Sequence, residues 1–184
     1  MEKLRILYIS TVFPRPEESS TIYTDLAEEL RDRGHEIFVV AADGSTGVMR
    51  TQLSIERGLN VLRVKTNSLY NVNIIKKGFS VITLKYQLIY NMKKFLNKKK
   101  FDFILFESPP VTIVDVVKWA MKEFGCPSYL MLKDIFPQNA VDIGLMKENG
   151  IVYKYFRKKE QKLYRTASII GCMSELNRRY IIKH

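Results

Sequence analysis

Apolar residues fall into two kinds of run along this chain. Short runs with consecutive apolar positions occur at 5–10 (RILYIS), 36–42 (EIFVVAA), 60–64, 102–106, 128–132 and 168–172. They predict strands buried on both faces. Between them the apolar positions take helical spacing. Ile22, Leu26 and Leu30 share one side of 21–33, and Val81, Leu84, Leu88, Met92 and Phe95 share one side of 79–96. Further helices are predicted over 111–123 and 151–165, and from near Ser174 onward. Gly34 stands where the first helix should end in a left-handed residue, and Gly125 with Pro127 closes a later one. Doubly buried strands separated by helices predict a doubly wound, Rossmann-like parallel α/β sheet with helices on both faces. No fixed-period repeat, low-complexity tract or linker interrupts it, so the expectation is one domain over 1–184.

In such folds ligands gather outside the carboxyl ends of the strands. Three polar or proline-bearing turns fall on that edge: 10–20, 107–110 and 133–139. Glu107, Ser108, Lys133 and Asp134 therefore end strands at the expected crevice. Asp134 is the carboxylate of most chemical interest. It follows an apolar strand and precedes Phe136 and Pro137, which are expected to screen it from water. In that setting it can orient or activate a hydroxyl, or balance positive charge; it can equally form an Asx turn. Ser19, Ser20 and Thr21 lie where a helix begins, as phosphate ligands or as plain caps. Asp43 ends the second strand, as a ribose-binding acid or a turn residue. The first turn has neither G-x-G-x-x-G nor G-x-x-x-x-G-K-[ST], which argues against a dinucleotide site and a P-loop. The two histidines and two cysteines match no metal-ligand spacing, so no metal or cofactor is expected, and the cysteines read as free thiols.

Charge adds a partner to this picture. The 184 residues carry 30 basic and 19 acidic side chains, a formal net charge of +11. Eight lysines and no acid lie in 76–100, interleaved with Tyr86, Tyr90 and Phe95. Lys76, Lys77, Lys93 and Lys94 are candidate contacts to an anionic membrane surface; the alternative is a core helix with a solvated rim. No nucleic-acid module pattern is present, and nucleic acid is not expected as a partner. The start has too short an apolar run for a signal peptide, and no stretch reaches the ~20 apolar residues of a span. The expected location is cytoplasmic, peripheral at the inner face of the plasma membrane.

The segments ILYISTVFPRP and LAEELRDRGHEIFVVAA resemble the first strand–helix–strand of family-four GT-B glycosyltransferases. FDFILFESPP followed by LMLKDIFPQNAVDIGLM is similar to a narrower branch with S-P-P and D-[LI]-[WF]-P-E-S in these places. That branch holds capsule and O-antigen sugar transferases of the N-acetylfucosaminyl type. EQKLYRTASIIGCMSELNRRYI resembles the run that closes the family's first domain. Two departures are plain. The first turn has no glycine over 16–21, and Gln138-Asn139 replace the branch's Glu-Ser.

The resemblance implies the N-terminal, acceptor-side half of a retaining glycosyltransferase. Such an enzyme moves a sugar from a nucleotide-sugar donor to a lipid-linked sugar or glycan acceptor in surface polysaccharide synthesis. It implies that Glu107, Ser108, Pro109, Pro110, Lys133, Gln138 and Asn139 shape the acceptor side. Asp134 would act catalytically, and Ser19, Ser20 and Thr21 would approach the donor phosphate. The family's second, nucleotide-sugar domain has no counterpart before the chain stops at His184. The isolated chain is therefore expected to be an inactive half. The rival expectations are a non-catalytic subunit that recruits a partner to the membrane, and a nucleotide-binding module.

Overall fold

A computed structural model describes residues 2–44, 50–67 and 74–183, with the backbone alone over 74–79. The chain runs β1 (Arg5–Ser10), α1 (Ile22–Asp32), β2 (Glu36–Asp43), β3 (Gln52–Glu56), β4 (Leu59–Lys65) and α2 (Ile74–Phe95). It continues through β5 (Phe103–Ser108), a 3-10 turn (Val111–Ile113), α3 (Val114–Phe124), β6 (Ser128–Leu132), α4 (Gln138–Asp142), α5 (Ile151–Thr166), β7 (Ile169–Cys172) and α6 (Glu175–Lys183). All six strands expected from the sequence form, with ends shifted by a residue or two.

The strands make one sheet in the order β3-β4-β2-β1-β5-β6-β7. Every pairing is parallel except that of β3 with β4. The chain steps outward from β1 on one side, crosses back through α2, and steps outward again on the other. The strand order therefore switches direction between β1 and β5, where a crevice opens at the carboxyl edge.

Alternate residues of the inner strands serve different cores. Leu7, Ile9, Phe38, Val40, Leu62, Ile104, Phe106 and Leu130 face α2, α3 and α5, where Leu84, Leu88, Met92, Val117 and Leu163 meet them. Ile6, Tyr8, Ile37, Val39, Val61 and Leu105 face the side covered by α1, through Ala27, Tyr23, Leu26 and Leu30. Because both faces are covered, the central strands read as unbroken apolar runs. Full burial of a side chain such as Leu88 or Met92 contributes about 2 kcal/mol.

The hairpin β3–β4 was not expected. Its turn carries positive φ at Arg57 (51°) and Gly58 (71°), the pair of left-handed residues that a tight hairpin needs. Gly58 also lies against the Arg31 side chain, 2.9 Å from where a Cβ would stand. The expected glycine ends of α1 and α3 are present, with φ of 92° at Gly34 and 65° at Gly125.

Candidate active site

The two strands that flank the switch point are tied together at their carboxyl ends. Glu107, at the end of β5, is 2% exposed. Its Oε1 accepts a hydrogen bond from Ser10 Oγ at 2.7 Å and one from the Thr11 N–H at 2.9 Å. Ser10 Oγ in turn accepts from the Val12 N–H at 3.2 Å. The first residues of the loop after β1 are thus seated on one carboxylate from the neighbouring strand.

Burial pushes the Glu107 carboxyl up to about 7. The hydrogen bonds from Ser10 and Thr11, the nearby Tyr8 hydroxyl and the charge of Lys133 limit that rise. Tyr8 is pushed upward as well, first by burial and then by the charge on Glu107. The two side chains lie close, yet neither the Tyr8 hydroxyl nor Glu107 Oε2 makes a hydrogen bond of ordinary geometry. Ser108 Oγ, Thr11 Oγ1 and Asn139 Oδ1 are likewise buried without partners among the described residues. Unpaired buried polar atoms cost about 1–3 kcal/mol each, so this edge of the sheet spends stability on polarity.

Lys133 leaves β6 and lays its Nζ 3.6 Å from the centroid of the Tyr23 ring on α1. Burial lowers its pKa, and the charges of Glu107 and Asp134 raise it in opposition. Asp134 itself is exposed at a bend. The expected screening by Phe136 and Pro137 does not occur. Phe136 turns to stack edge-on against Phe156 of α5 at 5.0 Å, and Pro137 is buried while Asp134 stays exposed. Pro109 is exposed and Pro110 half-buried at the turn that follows Glu107 and Ser108. Gln138 is engaged within the helical layer: its Nε2 donates to Asp142 at 2.9 Å, and its Oε1 accepts from the Tyr153 hydroxyl at 3.5 Å.

The loop over 11–21 is held mainly by arginines of the β3–β4 hairpin. Arg63, 2% exposed, grips both carboxylate oxygens of Glu56 at 2.6–3.1 Å. It donates onward to the carbonyls of Phe13 at 2.8 Å and Pro14 at 3.3 Å. Arg57 donates to the carbonyls of Ser19 at 2.5 Å and Arg15 at 3.4 Å, to Ser20 Oγ at 3.1 Å, and to Glu28 at 3.1 Å. Arg15 pairs with Asp43 at 2.8 Å. Thr21 is the N-cap residue of α1, with its N–H donating to Thr24 Oγ1 at 2.8 Å.

The structure therefore brings Glu107, Ser108 and Lys133 together with the start of the first turn. Ser19, Ser20 and Thr21 sit farther along that turn. Lys93 and Lys94 are exposed near the end of α2. The side chains of Lys76 and Lys77 lie outside the described residues. Sequence reasoning did not single out Tyr8, Ser10, Thr11, Tyr23, Arg57 or Arg63. Ser10 and Thr11 carried a usable signal as polar residues ending a buried strand. The arginines carried none, because their contacts to the first turn fall mostly on main-chain oxygens.

No family model matches the chain, and no curated protein matches its sequence. Solved structures do match. Sucrose-phosphate synthase from Thermosynechococcus elongatus superposes with a TM-score of 0.69 at 11% identity, over 97% of this chain and 45% of that one. An α,α-trehalose-phosphate synthase (UDP-forming) from Burkholderia vietnamiensis gives 0.61 at 10% identity, over 97% and 42%. An E. coli trehalose-6-phosphate structure bound with UDP-2-fluoro glucose gives 0.62 at 11%, over 97% and 42%. The chain spans less than half the length of each. At these identities the likeness is one of fold, and the fold is the Rossmann-like half of the GT-B architecture.

Proposed function

We propose that this chain is the acceptor-side domain of a retaining glycosyltransferase in surface polysaccharide synthesis. The enzyme moves a sugar from a nucleotide-sugar donor, held by a second domain, to a lipid-linked sugar or glycan acceptor. The observation that carries the reading is the buried Glu107 at the strand-order switch, seating Ser10 and Thr11. A domain that only needed a core has no use for a carboxylate in that place. In transfer, the bond from the sugar's anomeric carbon to the diphosphate oxygen breaks, one to the acceptor oxygen forms, and the acceptor hydroxyl's proton passes to the departing diphosphate. Glu107 positions the first turn beneath the donor, and Ser19, Ser20 and Thr21 approach its phosphates. The exposed Asp134 orients the acceptor hydroxyl or balances the charge that develops. Ser108, Pro109, Pro110, Lys133, Gln138 and Asn139 shape the acceptor side. Orientation supplies much of the rate in such a cleft.

The test is transfer from labelled nucleotide sugars to lipid-diphosphate sugar acceptors, by the chain alone and with a nucleotide-sugar domain added or fused. The chain alone is expected to turn over little or nothing, and the paired form to be active. Robust turnover by the chain alone overturns the half-enzyme reading.

A second reading is a non-catalytic subunit that brings a partner to an anionic membrane. It is favoured by α2, where Ile82, Tyr86 and Tyr90 are 59–66% exposed at helical spacing, with Lys93 and Lys94 beyond them. No helix among the described residues is long and apolar enough to cross a membrane.

A further inference from the structure

A groove lies away from the crevice, between α3 and α5. Its volume is about 700 Å³. Lys118 and Lys122 of α3 face Lys158, Lys162 and Arg165 of α5 across it, and no acid lines it. Asp115 of α3, which pairs with one of these cations, is shared between Lys159 at 2.6 Å and Lys162 at 2.5 Å. The remaining four cations have no ion pair among the described residues. Five like charges gathered on facing helices repel one another, and an anionic partner relieves that cost.

The same helix shows what kind of partner fits. Ile151, Tyr155, Lys158, Lys162 and Arg165 follow each other in steps of four and three, so they form one line along α5. All are exposed, Ile151 at 89% and Tyr155 at 46%. Val152 beside them is 57% exposed, and Ile143 and Leu145, in the segment leading into α5, are 69% and 79% exposed. The line is apolar where α5 begins and cationic where it ends. A soluble polyanion needs the cations but has no use for the apolar end. A bilayer with anionic headgroups uses both, through apolar insertion at one end and headgroup attraction at the other.

We propose that the α3–α5 groove and the apolar start of α5 together form a docking surface for an anionic lipid bilayer. The inference rests on the membrane partner of the second reading, but it places the contact on α3 and α5 rather than on α2. α5 follows β6 and runs back beneath the sheet, so its apolar start lies at the carboxyl edge that bears Glu107 and Lys133. Docking in this orientation sets the crevice beside the bilayer surface.

The test is co-sedimentation of the full chain with vesicles of phosphatidylglycerol and phosphatidylcholine, and of phosphatidylcholine alone. The wild type is expected to bind the anionic vesicles preferentially. The combined variant K118Q, K122Q, K158Q and R165Q should lose at least about tenfold of that binding, given attraction from each cation near the surface. The pair Ile151→Ser and Val152→Ser should remove the part of the binding that survives high salt. Folding is checked by circular dichroism, and if the combined variant is unfolded the pair K158Q and R165Q takes its place with the same expectation. Charge reversal at Lys93 and Lys94 is the separate arm for α2. No preference for anionic vesicles in the wild type overturns both the inference and the membrane reading. Binding lost in the α2 variant but kept in the groove variant overturns the inference alone. Binding untouched by the serine pair and fully competed by soluble polyphosphate assigns the groove to a soluble polyanion, and also overturns it.

Discussion

Ser10 Oγ donates to Glu107 Oε1 at 2.7 Å, across a sequence separation of 97 residues. The bond joins the carboxyl ends of the two strands at which the sheet reverses its winding. It has a consequence for pH. The Glu107 carboxyl titrates at about 7 in the folded chain against an ordinary value of 4.5. Between those values the folded state holds a proton that the unfolded state has released, so stability falls as pH rises. The full effect is about 3 kcal/mol at ~1.4 kcal/mol per pKa unit. Glu107→Gln does not titrate. Denaturant unfolding should therefore show the variant gaining about 3 kcal/mol on the wild type between pH 4.5 and pH 8. Parallel stability curves for the two proteins would refute the assignment of this titration to Glu107.

Asp134 is exposed, so its removal should leave folding unchanged and act on chemistry alone. On the function proposed above, with a nucleotide-sugar domain added or fused, Asp134→Asn is expected to lower kcat by ~10² or more, the scale of a positioned acid–base group. Steady-state transfer rates and a thermal melt check both halves of the statement. A kcat within twofold of wild type reduces Asp134 to a bend residue.

Arg63 is the interior anchor of the first turn. Arg63→Met leaves Glu56 without its ion-pair partner and removes a donor from each of two carbonyls, and should cost about 3 kcal/mol of unfolding free energy. Arg57 is less buried, and Arg57→Ala should cost about 1–2 kcal/mol. Its sharper readout is local: amide exchange over 13–21 should accelerate while the central strands stay protected. Unchanged exchange in that loop would show that the arginines do not hold it.

Gly171 of β7 lies under the Tyr129 ring of β6, and a Cβ there would overlap the hydroxyl end of that ring. Gly171→Ala should therefore destabilise the sheet edge by about 1–3 kcal/mol, the usual range for overpacking. Combining it with Tyr129→Ala removes the overlap, so the double variant should be more stable than the sum of the two single losses implies. Strict additivity would remove the contact as the cause.

The fold was legible where burial was two-sided. Ile6, Leu7, Tyr8 and Ile9 are all buried, so β1 reads as an unbroken apolar run. β3 was missed because it is an edge strand: Leu53 and Ile55 are 41% and 69% exposed, and its turn is Arg-Gly rather than the usual Asn-Gly. Strand-end placement put Glu107 and Lys133 on the right edge without revealing their partners. Ser10 and Tyr23 are distant in sequence, and pairing across parallel strands leaves no local mark. Asp134 shows the opposite failure. Phe136 follows it closely in sequence but turns to Phe156 on α5, so closeness along the chain gave no shelter in space.

The arginine contacts to the first turn fall on carbonyl oxygens of Phe13, Pro14, Arg15 and Ser19. Every residue type offers that oxygen, so apart from the Ser20 hydroxyl and the Arg15–Asp43 pair the grip does not depend on which side chains the turn displays. The path of this segment and its chemical face are therefore separable. On the function proposed above, side chains there can be exchanged to suit a different phosphate or sugar while the hairpin keeps the same track. Shape resides in the neighbouring hairpin, and selectivity is left free to change in the turn.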